Sequence, residues 1–199
     1  MADQKISAMP EATTPLTGAE LVPLVQSGAN VKATIASFGQ YAINTLANYG
    51  AFQDIDGPQT ASANTVTQLR VNTADFTQGV TKVGNRISMT NAGVYSIIIS
   101  LQLLNDKANY DDFTLWPAIN GVNAVGSASV IGVSEKKGGI DGHSVLCVQY
   151  TFQFAAGGYF EFYWHNLAGN ASVVTFPASA VAPIHPAAAG VILSVIQVG

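Results

Sequence analysis

The three histidines, His143, His165 and His185, are the residues with the most obvious catalytic potential. No two of them stand at the short spacing that places two metal ligands on one helix face. The run from Gly142 to Leu146, G-H-S-V-L, begins like the nucleophile elbow of serine hydrolases but lacks its closing glycine. The sequence therefore predicts no catalytic residue, no cofactor and no enzymatic activity.

Two pairs of acidic residues are weak candidates for a calcium site. Asp54 and Asp56 precede a glycine, and Asp111 and Asp112 are adjacent. Calcium needs several oxygen ligands, and neither pair comes with the remaining ligands of a known calcium loop. Aspartate and glycine also serve turns on their own. We therefore expect no bound metal.

The single cysteine, Cys147, excludes an intrachain disulfide and any metal site built from several cysteines. Because it falls within a predicted strand, we expect an inert, half-buried thiol rather than a nucleophile.

The charge content of the chain bounds its partners. The net charge is −4, with no basic run, which argues against a nucleic-acid partner. Charged residues make up only 10% of the chain, against about 25% in an average soluble domain. No stretch is apolar enough to insert into a membrane, and the start of the chain does not lead into a secretory signal. So few charges favour a subunit that hides surface in an assembly, with a monomer of polar, uncharged surface as the alternative.

Three stretches carry the alternation of a β-strand: Gly93 to Leu104, Leu146 to Phe154 and Tyr159 to His165. In each, apolar or aromatic side chains recur at every second residue and would share one face of a sheet. We predict about eight to ten short strands between residues 51 and 199, in an all-β, antiparallel β-sandwich or jelly roll.

Single residues within this pattern predict turns and interruptions. Asn120-Gly121 predicts a tight hairpin. Pro117 interrupts a strand from Phe113 to Ile119, which should therefore lie at a sheet edge or carry a bulge. The last strand is expected from Val191 to Val198.

Residues 1–50 differ from the rest and are predicted to form a small N-terminal segment: an extended arm, a hairpin and a short helix. Leu21 to Gln26 and Val31 to Thr34 are the expected strands. The helix is expected over about 34–48, with Thr34 as its N-cap and Gly50 as its stop. Its apolar stripe consists of Ile35, Phe38, Ala42, Leu46 and Tyr49.

The order of the elements in 51–199 resembles the jelly-roll domain shared by tumour necrosis factor and complement C1q. The resemblance is carried by Asn91 to Ile97, by the hairpin Asn120 to Val122, and by Ala155 to Trp164. Gly158 stands where that family usually has an acidic residue, so any role of that acid does not carry over. The apolar stretch Val191 to Ile196 is similar to the family's final strand, which lies in the core of a trimer. The resemblance implies a homotrimer.

The segment from Ile6 to Thr34 is similar to the start of many tailed-phage fibre and virion decoration proteins. The register keeps Leu16-Thr17-Gly18, Glu20, Val22-Pro23 and Gln26. The resemblance implies a virion protein at the particle surface, attached to phage capsid or tail proteins by its N-terminus. The anchoring residues expected on this basis are Leu16, Leu21, Val22, Pro23, Leu24 and Val25.

Recognition in such folds usually lies on loops carried by a rigid sandwich. We therefore expect the loops 105–112 and 134–143 to form the distal surface that meets a host glycan or protein. The residues expected to face such a receptor are Tyr110, Asp111, Asp112, Lys136, Lys137 and His143.

The leading prediction is a non-enzymatic head-fibre or cement subunit of a phage. A tail fibre or receptor-binding adhesin, and a free lectin-like module outside any virion, are the alternatives. A polysaccharide-degrading enzyme would need two acids in one cleft, and Glu161 is the only acid in the aromatic strands. The aromatic residues that could stack on sugars or contact a receptor, with core packing as the alternative, are Tyr110, Trp116, Tyr159, Tyr163 and Trp164. Of these, Trp164 is expected in the core and Tyr110 at the surface.

Overall fold

The computed structural model describes residues 17–39 and 48–199. The chain forms two compact units, Met1–Leu46 and Ala47–Gly199. The extended arm, Leu16 and the part of the predicted helix at 40–47 lie outside the described residues. The exact division at residue 50 stays a prediction.

The first unit contains a two-stranded antiparallel hairpin of β1 (Leu21–Gln26) and β2 (Ala29–Thr34). Ser27 and Gly28 connect the strands with φ angles of 51° and 80°, the positive values that a two-residue hairpin turn requires. Residues 35–39 are helical. The backbone N–H of Ser37 donates to Oγ1 of Thr34 at 3.1 Å, which confirms Thr34 as the N-cap.

The predicted helix extends too far toward the C-terminus. Tyr49 and Gly50 lie in a strand of the second unit and are neither part of the helix nor its stop. Tyr49 fits a helical stripe by spacing, but Phe52 and Asp54 share the inward side of its strand at a period of two.

The second unit is antiparallel β throughout its described length. Its strands are β3 (Tyr49–Asp54), β4 (Thr67–Gln68), β5 (Thr73–Gln78), β6 (Val80–Val83), β7 (Arg86–Met89), β8 (Gly93–Asn105), β9 (Asp111–Ile119), β10 (Val122–Asn123), β11 (Ser129–Val133), β12 (Gly142–Phe154), β13 (Tyr159–Asn166), β14 (Ala171–Val173) and β15 (Val191–Gln197). They form a six-stranded sheet in the order β12-β8-β15-β3-β5, with β14 beside β8, and a seven-stranded sheet in the order β10-β9-β13-β7-β6, with β11 beside β9 and β4 beside β13.

The pairing of the main strands is that of a jelly roll. The first strand pairs with the last (β3 with β15), β7 pairs with β13, β8 with β12, and β9 with β11. Two further pairings, β15 with β8 and β13 with β9, join these hairpin-like pairs into two sheets. Folding a long antiparallel ribbon over on itself gives this order, so the predicted fold class is confirmed.

The core lies between the inner faces of the two sheets, as the alternation predicts. On β8 the buried side chains are Tyr95, Ile97, Ile99, Leu101 and Leu103, each at most 1% exposed. From the opposite sheet Phe113 stacks on Trp164, with ring centroids 5.0 Å apart. Trp164 is thus a core residue, as predicted.

The prediction that the strand with Pro117 lies at a sheet edge or carries a bulge is wrong. β9 pairs with β13 along one side and with β11 and β10 along the other. Pro117 falls in the gap between the last residue paired with β11, Leu115, and the first paired with β10, Ala118. A proline lacks the N–H that would bond to a neighbouring strand. Because neither β10 nor β11 pairs with β9 at Pro117, the internal strand can hold a proline at this position.

The two ends of the sandwich differ. The chain enters the sandwich at Asn48, beside the C-terminal end of β15, where Gln197 N–H donates to the carbonyl of Asn48 at 2.8 Å. The opposite end carries the loops 55–66, 106–110, 134–141 and 167–170. We call this second end the distal end.

Candidate functional site

The outer surface of the six-stranded sheet carries almost no charge. The strands β8, β12 and β15 contain no Asp, Glu, Lys or Arg. The residues that point outward from these three strands form what we call the uncharged face. Its exposed large apolar side chains are Ile98, Val145, Ile192 and Ile196, and Phe76 of β5 adds an exposed ring at the sheet's edge.

Small and polar groups fill the spaces between these apolar side chains. Ser100 lies opposite Ile192 in the register of β8 and β15, and Ser194 lies opposite Ile98. Nε2 of Gln149 donates to Oγ of Ser96 at 2.9 Å across the β8–β12 pair. The resulting surface is level, apolar in part and free of ionic groups, which is the composition of the central part of a protein–protein interface.

Cys147 lies on the uncharged face and is exposed. The expected half-burial of this thiol is therefore wrong. The alternation correctly places Cys147 on the face opposite to Leu146, but that outward face is covered only in part: Phe176 packs on His143, whereas Cys147 stays exposed.

Charge is concentrated instead at the distal end. Of the fifteen charged residues between 48 and 199, eight lie in or beside the loops 106–110 and 134–141. The two loops contact each other, because the backbone N–H of Lys136 donates to the carbonyl of Lys107 at 2.7 Å. Nζ of Lys136 is 2.6 Å from Oδ1 of Asp141, an exposed pair that adds little stability. The structure thus brings the two predicted loops together.

Not all of the residues predicted to face a receptor are exposed in the two loops. Tyr110 is exposed, as expected, and its hydroxyl donates to Oδ1 of Asp112 at 2.5 Å. This hydrogen bond raises the pKa of Tyr110 above its ordinary value. Lys136 and Lys137 are exposed in their loop. His143 lies on β12, where its ring contacts Phe176 at a centroid distance of 5.4 Å.

Asp111 does not lie at the surface where the prediction places it. It is 1% exposed, and its carboxylate accepts backbone hydrogen bonds from Ala168, Asn170 and Ala171 at 2.7 to 2.9 Å. These bonds hold the loop between β13 and β14 against the start of β9. The role of Asp111 is structural, since three donors occupy its oxygens.

Of the other predicted acid pair, Asp54 is also engaged by protein groups. Asp54 is buried and accepts bonds from Nε and Nη2 of Arg70 at 2.9 and 3.0 Å, and from Nε2 of Gln59 at 2.7 Å. Within residues 17–39 and 48–199, no three His, Cys, Asp or Glu side chains come together as metal ligands would. No helix in the same ranges is long and apolar enough to cross a membrane.

The predicted anchoring residues lie on β1, except for Leu16, which is outside the described residues. Leu21 and Val25 are exposed, and Pro23 lies on the same side of the strand. Val22 and Leu24 are half-buried on the other side, opposite Ala33 and Val31. A two-stranded hairpin by itself is marginally stable in water, and covering its exposed apolar side would stabilise it.

The carboxylate of Glu20 holds the residues that precede this hairpin. Its carboxylate accepts bonds from N–H and Oγ1 of Thr17 and from N–H of Gly18, each at 2.8 Å. The backbone N–H of Thr17 is the main cause that lowers the pKa of Glu20 from 4.5 to about 2.

Because the ionised form of Glu20 makes these bonds, their contribution is complete above pH 4.5 and is lost as the pH falls through about 2. We expect the amide proton shifts of Thr17 and Gly18 to titrate together with a midpoint near pH 2, as followed by NMR. A Glu20→Gln chain should lose this titration. A midpoint near 4.5 in the unaltered chain would contradict the assignment.

The sequence names Trp116, Tyr159 and Tyr163 as candidates for sugar or receptor contact, but it does not show that they form one polar and aromatic cluster on the outer side of the seven-stranded sheet. Arg86 lies over the ring of Tyr159, 3.7 Å from its centroid, and pairs with Glu161. Tyr163 and Trp116 are neighbours on adjacent strands. The aromatic residues could be seen in the sequence, but their grouping depends on the pairing of β7, β13 and β9.

Comparisons with known proteins add little. No protein-family model matches the chain, and no curated protein matches it. Among solved structures, the chain is similar to the crystal structure of murine APRIL at pH 8.5, with a TM-score of 0.44 and 10% sequence identity over 76% of this chain and 99% of that chain. A likeness this distant does not bear on function, and the jelly-roll assignment rests on the strand pairing itself.

Proposed function

We propose that the chain is a non-enzymatic structural subunit of a tailed-phage virion. In this proposal it forms a homotrimer, its N-terminal segment attaches it to the particle, and its jelly roll is displayed at the particle surface as a fibre or decoration knob. The observation that carries the proposal is the uncharged face, because a monomer has no evident use for a broad surface without ionic groups.

Burial of the uncharged face would drive the assembly. Exposed isoleucines such as Ile98, Ile192 and Ile196 lose contact with water when a second copy covers them. This burial favours assembly by a free energy of about 25 cal/mol for each Å² of apolar surface. Assembly through this face requires no desolvation of a charge, since the strands that form it carry none. A trimer rather than a dimer is what the resemblance to the tumour necrosis factor family implies.

In this proposal the two ends of the jelly roll have different functions. The chain enters the sandwich at Asn48, and the charged loops lie at the opposite, distal end. A subunit held by the segment before Asn48 would direct these loops away from the particle. Attachment to the head as a cement or head-fibre protein, and attachment to the tail as a receptor-binding fibre, are both consistent with this arrangement.

Anchoring through the hairpin predicts a specific defect. A chain carrying Leu21→Asp and Val25→Asp should be absent, or reduced at least about tenfold, in purified particles of the phage that encodes it, because both exposed apolar side chains of β1 would then carry a charge. Quantitative mass spectrometry of the particles measures the incorporation.

The matched control for this experiment is Val122→Asp, which places the same charge on an exposed valine of the sandwich. This variant should be incorporated normally. Equal incorporation of both variants would contradict anchoring through the hairpin. Absence of the unaltered chain from the particles would contradict the virion role and favour a free binding module.

A further inference from the structure

The outer side of the seven-stranded sheet differs from the uncharged face, because it presents aromatic rings. Tyr159, Glu161 and Tyr163 occupy successive outward positions of β13. Trp116 of β9 lies directly opposite Tyr163 in the register. The two rings are inclined by only 24°, with centroids 6.4 Å apart, and both side chains are partly exposed.

Hydrogen bonds fix the positions of these rings. The indole Nε1–H of Trp116 donates to Oδ1 of Asn123 at 3.0 Å. The hydroxyl of Tyr163 donates to Oε2 of Glu161 at 3.3 Å. The rings are thus held in place before any ligand arrives, which reduces the entropy lost on binding.

An ion pair lies beside the rings. Nε of Arg86 is 3.2 Å from Oε1 of Glu161, and the guanidinium covers the ring of Tyr159. Glu161 is only 7% exposed, whereas the side chain of Arg86 is 45% exposed. Glu161 therefore orients Arg86 and balances its charge, while the guanidinium still presents N–H donors to the solvent.

A shallow depression of about 520 Å³ opens at this point. Its polar lining consists of Gln68, Asn85, Arg86, Ser88 and Glu161. Amide, hydroxyl and guanidinium groups together offer both donors and acceptors, and the only charges in the lining form a matched pair. The aromatic rings do not line the depression but adjoin it, since the hydroxyl of Tyr163 bonds Glu161. Aromatic rings together with a few fixed polar groups are the usual composition of a small-molecule site.

We propose that this depression and the neighbouring rings of Tyr163 and Trp116 bind a neutral sugar residue of a surface glycan. We call the site the aromatic site. The C–H groups on one face of a hexose would pack on the rings, whose π faces attract weakly positive hydrogens. The hydroxyls at the sugar's edge would pair with Arg86 and with the amide of Gln68, which is held in place by a bond from Nδ2 of Asn85 at 3.1 Å.

The matched charges favour this ligand over the alternatives. A phosphate group would meet Glu161 beside the one guanidinium of the lining, and the chain's net charge of −4 opposes a nucleic acid. A proline-rich peptide also packs on aromatic rings, but it offers few hydrogen-bonding groups to the polar lining. The inference rests on the proposed display of the sandwich at the particle surface, where host glycans are met.

The two tryptophans of the chain provide a direct test. The full chain is labelled with 5-fluorotryptophan, and ¹⁹F NMR spectra are recorded during titration with glucose, galactose, mannose, rhamnose and N-acetylglucosamine, each to millimolar concentration. We expect at least one sugar to shift the Trp116 signal saturably, while the signal of Trp164, which is fully buried, stays in place. Trp116→Phe assigns the two signals.

Variants connect the shift to the aromatic site. Trp116→Ala should weaken binding of that sugar at least about tenfold, as measured by calorimetry. Phe38→Ala, which removes an exposed aromatic residue of the first unit, should leave it unchanged. The inference is overturned if no sugar shifts the Trp116 signal, if only a proline-rich peptide does so, or if Phe38→Ala abolishes binding while Trp116→Ala does not.

The mass of the same samples separates this inference from the proposed assembly. A trimer that binds no sugar contradicts the aromatic site alone. A monomer that binds a sugar through Trp116 contradicts the trimer and supports the aromatic site.

Discussion

A chain carrying Ile192→Glu is expected to be monomeric in solution. Ile192 is 51% exposed in the isolated chain and lies on β15, between β8 and β3, in the middle of the six-stranded sheet and on its uncharged face. Within one chain the new carboxylate can point into water. In a trimer the same carboxylate would be buried against a surface that has no cation to pair with it, at a cost of several kcal/mol for each subunit.

The control for Ile192→Glu is Val83→Glu. Val83 is a 74% exposed residue at the end of β6, in the other sheet. This variant adds the same charge outside the uncharged face and should keep the mass of the unaltered chain. Light scattering of both variants gives the answer. An Ile192→Glu chain that keeps the mass of the unaltered assembly would contradict burial of the uncharged face.

Asp111→Ala should be the most destabilising change at the distal end, with a loss of about 3 kcal/mol or more in the free energy of unfolding. The substitution removes the acceptor of three backbone N–H groups, those of Ala168, Asn170 and Ala171. Buried donors left without a partner cost about 1–3 kcal/mol each, and some of them will regain water.

The neighbouring residue provides the control for Asp111→Ala. Asp112 is only half-buried and accepts one bond from Tyr110, so Asp112→Ala should cost less than about 1 kcal/mol. Urea unfolding at one protein concentration compares the two variants. Equal losses would mean that the network around Asp111 does not stabilise the fold.

The fold could be predicted because its strands follow a simple physical rule. Side chains alternate between the faces of a strand, and every second residue of 95–103, 146–154 and 160–164 is apolar or aromatic. The turn at Asn120-Gly121 was equally clear, since both residues adopt the positive φ that its type requires.

The errors arise where a residue's surroundings decide its role. Asp111 and Asp112 are adjacent acids in a polar stretch, and nothing local tells which of them meets the N–H groups of a loop some sixty residues away. The position of Cys147 in a strand predicts a half-buried thiol, but it does not show whether anything covers the outward face of that strand. The sequence predicts an edge or a bulge at Pro117, because the break between the partner strands β11 and β10 cannot be read from the residues around the proline.

The candidate sites could be predicted only in part. The exposed position of Tyr110 and the pairing of the two charged loops follow from the sequence pattern and the hairpin order. The aromatic site depends on β7 and β9 lying on either side of β13, and this pairing joins residues far apart in the chain. Long-range pairing of this kind is not encoded in any short window.

The solution mass of the full chain, measured by light scattering, shows whether the chain trimerises. We predict three times the 20.7 kDa of one chain, and the same threefold mass, per shortened chain, for a protein that begins at Ala47, where the second unit starts. A mass of one chain in both samples would contradict assembly through the uncharged face.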